Sequence, residues 1–284
     1  MSQLNTESRK KRRKLKIHYF IVLLLFIFFA GFFVGKTYAA YELESIPDES
    51  PLPTKEVPMT SLEKAIPIIP VEEQTEIEEP AGKVVYLTFD DGPSKLTEEF
   101  LDVLQERDIK ATFFMQGSNL KKEHLQKSVK RAVQEGHYIG GHSMTHDFKQ
   151  LYSNEQFVPE MLKTLNLIRE ITGTDPTLVR PPYGSAPGLK NEQMRKQLAN
   201  MHIKIWDWTI DSKDWELPGN PAQIVENIKR ETTADREIVL MHEKVQTLEA
   251  LPGIIDFYEE QGYDFEVYDD AHHFVLNFQN DPAL

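Results

Sequence analysis

From Lys83 to the C-terminus, short β-branched and aromatic runs alternate with longer segments whose apolar residues recur at helical spacing. The runs at 84–89, 111–115, 138–141, 177–180, 203–208, 238–241 and 265–268 predict seven strands. Between them, 97–107, 122–135, 154–172, 189–200, 221–231 and 248–261 predict helices; in the first, Phe100, Leu101 and Leu104 fall on one face. Gly136, Gly173 and Gly262 stand where helix C-termini favour a left-handed residue. Regular alternation of this kind predicts an α/β fold with a parallel sheet, barrel-like or doubly wound.

The pattern is different upstream. Residues 17–35 contain no Asp, Glu, Lys or Arg, and nineteen helical residues at ~1.5 Å each reach about 28 Å, close to the hydrocarbon thickness of a bilayer. We expect a transmembrane anchor over 17–39, preceded by a basic cytoplasmic segment, 1–16. A cleaved signal peptide is the rival reading. It fits less well, because the apolar run exceeds the usual ~7–15 residues and Lys36 interrupts it before the small residues Ala39 and Ala40. The basic block Arg9–Lys16 keeps the N-terminus inside, so the rest of the chain is expected outside the cell. Residues 40–82 predict an extended linker: 41–80 holds seven prolines, eleven acids and two lysines, with no sustained apolar period. The domain that follows is expected over 83–284.

Composition adds two exclusions. With 40% hydrophobic and 27% charged residues, this is a globular chain, and the absence of cysteine rules out a disulfide framework. The first sixteen residues carry net +6 in a chain of net −13, which leaves −19 for the remainder. So acidic an exported part is a poor nucleic-acid binder.

Polar clusters follow five of the strand candidates: Asp90-Asp91-Gly92, His142-Ser143-Met144-Thr145-His146, Arg180-Pro181-Pro182-Tyr183-Gly184, Asp211-Ser212-Lys213-Asp214-Trp215 and Leu240-Met241-His242-Glu243. In a parallel barrel every strand C-terminus opens on one face, so the five clusters converge there. Each taken alone is an ordinary turn, cap or rim salt bridge. Together they hold the parts of a metal hydrolase. His142 and His146, four apart, present two imidazoles to one ion if they share a helical turn, and an aspartate completes a His₂Asp set with positions left open. Adjacent aspartates on an extended strand point to opposite sides, so one ligates and the other is free to act as base. Arg180 can keep that base ionised or close the rim as a salt bridge. His242 suits a general acid, oriented by a buried carboxylate such as Asp214, or else a capped strand end. Trp215 and Leu240 can wall a pocket for an acyl methyl group, or serve as core. His137 and His272-His273 read as structural.

In this order the clusters resemble the signature of the polysaccharide deacetylases of the NodB-homology type, carbohydrate esterase family 4, over about 83–268. The resemblance implies a distorted (β/α)₇ barrel and a divalent metal, usually zinc, with cobalt or nickel as substitutes. It also implies Asp90 as base, Asp91, His142 and His146 as metal ligands, and Arg180 as the residue that orients the base. The Tyr183 backbone N–H would help stabilise the oxyanion, Asp214 would tune the acid His242, and Trp215 and Leu240 would line the acetate pocket. Asp211 is the other aspartate of its segment and competes with Asp214 for that role. Anchor and stalk are similar to those of peptidoglycan N-acetylglucosamine deacetylases. The expected substrate is thus an N-acetylated cell-wall glycan, with poly-N-acetylglucosamine or chitin-like oligomers as alternatives. A catalytically silent glycan-binding barrel is the rival class, but a lectin needs neither base nor acid.

Overall fold

The computed structural model describes residues 82–284. The basic segment, span and linker expected upstream lie outside the described residues, Gly82 apart. Among the described residues no helix is long and apolar enough to cross a membrane.

Eight strands form one parallel sheet: β1 Lys83–Gly92, β2 Thr112–Met115, β3 Tyr138–Gly141, β4 Leu178–Val179, β5 Lys204–Ile205, β6 Ile210–Asp211, β7 Arg236–His242 and β8 Tyr263–Glu266. Their order is β5-β4-β3-β2-β1-β7-β6, with β8 alongside the first residues of β1. Six helices of nine residues or more flank the sheet among the described residues: α1 Thr97–Glu106, α2 Gln126–Gln134, α3 Phe157–Thr172, α4 Glu192–Asn200, α5 Pro221–Glu231 and α6 Val245–Glu260. Helix α5 starts where its sequence says it should: Asn220 caps the Gln223 N–H, and Pro221 at the first helical position loses no bond.

Two expectations are corrected here. Seven strands become eight, because Ile210–Asp211, where the sequence predicted no strand and the polar cluster 211–215 begins, pairs with β7. The distorted barrel is an open, curled half-barrel. Strands β5 and β6 are successive in the chain yet lie at opposite ends of the strand order. The four residues joining them, 206–209, reach at most roughly 3.3–3.6 Å apiece, so the sheet must curl to bring its edges together. Strands of two residues offer too few backbone groups for a closing ladder. The C-terminal segment occupies that edge instead: Trp206 bridges to Leu276, and the Asp207 N–H donates to the Leu276 carbonyl at 2.8 Å.

Alternation along β1 divides the core in two. Val85, Leu87 and Phe89 face the helices, where Phe89 stacks on Phe113 at 5.1 Å and meets Phe100 of α1 at 5.0 Å. Tyr86 packs on the other side with Trp206 and Phe274, in a smaller cluster inside the curl. Thr88 and Asp90 continue this inner face toward the C-terminal mouth.

Candidate active site

Every strand end carrying a polar cluster opens on one cavity of about 390 Å³, lined by Asp90, Asp91, His142, His146, Tyr183, Trp215, Leu240 and His242 together with Pro181, Trp208, Asp211 and Lys244. Arg180 and Asp214 sit immediately behind it and are fully buried. All ten residues singled out from sequence therefore meet at one mouth.

The aspartate pair does not behave as two positions of a regular strand. Asp91 adopts φ 68°, and the pairing with β2 slips between Asp90 and Gly92. This bulge suspends the alternation, so both carboxylates turn toward the same imidazole: His142 Nε2 is 3.7 Å from Asp90 Oδ2 and 3.7 Å from Asp91 Oδ1. A side chain at the next position would have to displace Glu243. A Cβ on Gly92 would stand 2.0 Å from Glu243 Oε1.

The histidine pair is also placed differently from the helical turn expected. Residues 142–147 are a loop in which Ser143 and His146 have φ 60° and 56°. Glu160, on the otherwise apolar inner face of α3, holds that loop by accepting the Met144 N–H at 3.0 Å, the Thr145 N–H at 2.9 Å and the Thr145 hydroxyl. The His146 N–H donates to Ser143 Oγ at 2.9 Å. These side-chain bonds replace the backbone bonds of a helix, and the imidazole centroids come within 5.0 Å of each other.

Asp91, His142 and His146 offer ligand atoms that all lie within 4.8 Å of one another. Asp91 Oδ1 is 3.7 Å from the Nε2 of each histidine. Ligand atoms about 2.0–2.1 Å from a tetrahedral ion stand roughly 3.3 Å apart, so a small contraction would close this set on a metal. The donors fit in kind as well. His142 Nδ1 lies 2.8 Å from the Arg180 carbonyl; donating there fixes the tautomer that leaves the Nε2 lone pair for an ion. Burial and then the charge of His142 lower the pKa of His146, which favours the neutral, ligating form. Burial opposes the charge on Asp91, but His142, His242, His146 and Lys244 outweigh it and hold the carboxyl below its ordinary value.

Asp90 is held separately. Arg180 Nη1 donates to Asp90 Oδ1 at 2.9 Å and to Thr88 Oγ1 at 2.6 Å; Nη2 donates to the Asp207 carbonyl at 2.8 Å and Nε to the Trp206 carbonyl at 3.2 Å. The guanidinium lies 4.2 Å from the Phe114 ring centroid. Burial pulls its pKa down from the usual value, and the facing carboxylate of Asp90 opposes that loss.

The strand register sets Asp90 directly beside His242. The ring Nδ1 of His242 lies against Asp214. Burial disfavours the imidazolium there, yet the hydrogen bond and charge of Asp214, then Asp90 and Asp91, prevail and raise its pKa. Asp211 is engaged elsewhere: it accepts the Lys213 N–H at 2.9 Å and Nζ at 2.7 Å. Trp215 is half exposed at the rim, and Leu240 is buried below it.

Sequence reasoning gave no role to three buried acids that support the site, Glu160, Glu243 and Asp207. Glu160 could have been found as the lone acid among Phe157, Val158, Met161 and Leu165. Glu243, which accepts from Ser94 and Thr97, follows His242 directly. Asp207 carries no sequence signal beyond its place between two tryptophans.

Asp91, His142 and His146, which could hold a metal ion, share this mouth with a guanidinium-held carboxylate and a carboxylate-tethered imidazole, a set of groups suited to hydrolysis. The profile of the polysaccharide deacetylase family matches residues 77–206. A peptidoglycan-N-acetylglucosamine deacetylase of Bacillus cereus is 47% identical over 208 residues, covering 71% of this chain and 75% of that protein. A peptidoglycan-N-acetylmuramic acid deacetylase of Bacillus subtilis is 34% identical over 187 residues, 65% of this chain and 38% of that protein. The crystal structure of a polysaccharide deacetylase from Bacillus cereus superposes with a TM-score of 0.69 at 46% identity, covering 71% of this chain and all of that one. The chain belongs to the polysaccharide deacetylase family.

Proposed function

We propose that this protein hydrolyses N-acetyl groups of a cell-wall glycan, with N-acetylglucosamine units of peptidoglycan as the preferred substrate, releasing acetate and a free amine. The observation that carries this reading is the placement of Asp90 and His242 side by side on paired strands, with Asp91, His142 and His146 at the same cavity. We assign Asp91, His142 and His146 as metal ligands. A divalent ion there, zinc in our reading with cobalt or nickel as substitutes, would supply Lewis acidity toward the amide carbonyl and toward water.

The chain's own residues do the rest. Asp90, held in place by the hydrogen bond from Arg180, takes the proton of the attacking water as its oxygen adds to the carbonyl carbon. Tyr183, turned to φ 67°, presents its backbone N–H to the developing oxyanion. His242, charged and oriented by Asp214, donates a proton to the nitrogen as the C–N bond breaks, so the amine leaves neutral. Trp215 and Leu240 enclose the acetyl methyl group.

The anchor reading extends this proposal: the span at 17–39 tethers the enzyme to the membrane, and the linker at 40–82 carries the domain outward to the wall. Metal-loaded protein incubated with peptidoglycan should release acetate, and mass spectrometry of the digested glycan should find glucosamine in place of N-acetylglucosamine. Deacetylated muramic acid alone, or no acetate from any acetylated glycan, would refute the assignment. Protease treatment of intact cells should shave the domain and leave the basic segment membrane-bound. A soluble form starting near Ala40 as the main product would refute the anchor and leave the enzyme reading untouched.

A further inference from the structure

The lip of the cavity carries more exposed aromatic surface than an acetyl pocket requires. Phe148, Tyr183 and Phe278 are 46%, 52% and 43% exposed. The Phe148 ring lies 5.6 Å from that of Tyr183, and Phe278 meets Trp208 nearly edge-on at 5.0 Å; Tyr183 and Trp208 both line the cavity. Gly184 joins the two pairs. It has φ 81°, and a Cβ there would stand 3.1 Å from both Phe278 Cε2 and Trp208 Cη2, so a glycine lets the rings settle over the turn. The exposed rings are thus continuous with the catalytic cavity rather than scattered.

Phe278 is held in place by buried groups. Its backbone N–H donates to Asp207 Oδ2 at 2.6 Å and reaches Ser185 Oγ at 2.9 Å. Ser185 in turn donates its N–H and hydroxyl to Asp207, and Gln279 Nε2 donates to the Ser185 carbonyl at 2.9 Å. Asp207 is fully buried, and its own carbonyl accepts from Arg180. One buried carboxylate therefore fixes the C-terminal segment to the backbone that also receives the guanidinium holding Asp90. Burying a carboxylate is unfavourable unless its hydrogen bonds are satisfied. What this costly arrangement positions is a half-exposed phenyl ring at the cavity's lip.

We propose that Phe278, braced by Trp208, is a stacking platform for a pyranose ring neighbouring the unit whose N-acetyl group enters the cavity, and that Phe148 beside Tyr183 extends the same track. A pyranose presents C–H groups on its face and hydroxyls around its rim. It can cover a phenyl ring while the rim stays in water, and phenylalanine adds apolar contact without selecting one hydroxyl. The inference rests on the reading of the cavity as a glycan deacetylase and makes chain length the selected property.

The test compares the full-length, metal-loaded protein with Phe278→Ala and Phe278→Trp on the dimer and the pentamer of N-acetylglucosamine. Phe278→Ala should lose about tenfold in kcat/KM on the pentamer, carried by KM, and less than about threefold on the dimer; Phe278→Trp should restore the pentamer. Equal losses on both lengths, a loss confined to kcat, or no loss would overturn the platform. Pentamer binding, followed by tryptophan fluorescence, separates the two claims. A parent that binds the pentamer through Phe278 but releases no acetate refutes the deacetylase reading alone. A parent that releases acetate and binds both lengths equally, with or without Phe278, refutes the platform alone.

Discussion

His242 and Asp214 are joined twice: the ring Nδ1 lies 2.7 Å from Oδ1, and the backbone N–H of His242 donates to Oδ2, also at 2.7 Å. Oδ2 accepts the Thr247 hydroxyl as well, at 2.6 Å, so the carboxylate cannot rotate away from the imidazole. Because Asp214 helps to raise the His242 pKa, the imidazolium persists to higher pH than a free histidine would allow. If His242 is the acid, activity falls on the alkaline side as this group loses its proton. Asp214→Asn should move that limb to lower pH, as read from the pH dependence of kcat. Asp211→Asn should leave the limb where it is. The opposite pattern would mean that Asp211 supplies the effect.

Asp90→Asn should abolish turnover while the metal stays bound, since it removes a base and no ligand. A general base is worth about 10²–10⁴-fold. Acetate release and metal content measured on the same sample decide the matter. A loss below about tenfold, 1.4 kcal/mol of barrier, would transfer the role to another group.

His142→Ala and His146→Ala together should leave a folded protein that holds no tight metal. Elemental analysis after dialysis gives the stoichiometry, and circular dichroism checks the fold. Stoichiometric metal in the double variant would rule out the proposed ligand set.

Glu160→Gln keeps the shape but weakens the carboxylate that restrains residues 144 and 145. We expect a stability loss of about 1–3 kcal/mol in chemical unfolding, because two part-buried N–H groups lose a carboxylate acceptor. Metal affinity should fall about 10–100-fold in a chelator competition, as for groups that orient a ligand from behind. Parent-like affinity would show that the loop holds its shape without Glu160.

Much of this was legible in the sequence because the fold repeats a local rule. Strand 138–141 and helix 221–231 were bounded correctly, since each is short, periodic and flanked by turn or cap residues. The site residues were legible for a related reason: parallel strands deliver their C-termini to one mouth, so clusters far apart in sequence had a single place to meet. What escaped was set by non-local partners. The carboxylates of Asp90 and Asp91 turn the same way only because the β1–β2 register slips. The two histidines meet on a loop rather than a helix because Glu160, from α3, supplies the missing bonds. Strand β6, two residues long, exists only through its pairing with β7, and no sequence window that short carries a strand signal.

The neighbours of β1 govern when the enzyme can exist at all. This strand pairs with β2, β7 and β8, and the hydrogen bond from Thr88 to the Val239 carbonyl closes a separation of 151 residues. Long loops must be closed before such contacts reward the chain, which places the β1–β7 ladder among the costly events of folding. Asp90 gains His242 as a neighbour only at that point. A nascent or C-terminally truncated chain carries Asp91, His142 and His146 yet lacks its acid, and it leaves the apolar strand β1 without β7 and β8. Such intermediates should be inert toward glycan and prone to strand-edge association until the last third of the chain has docked.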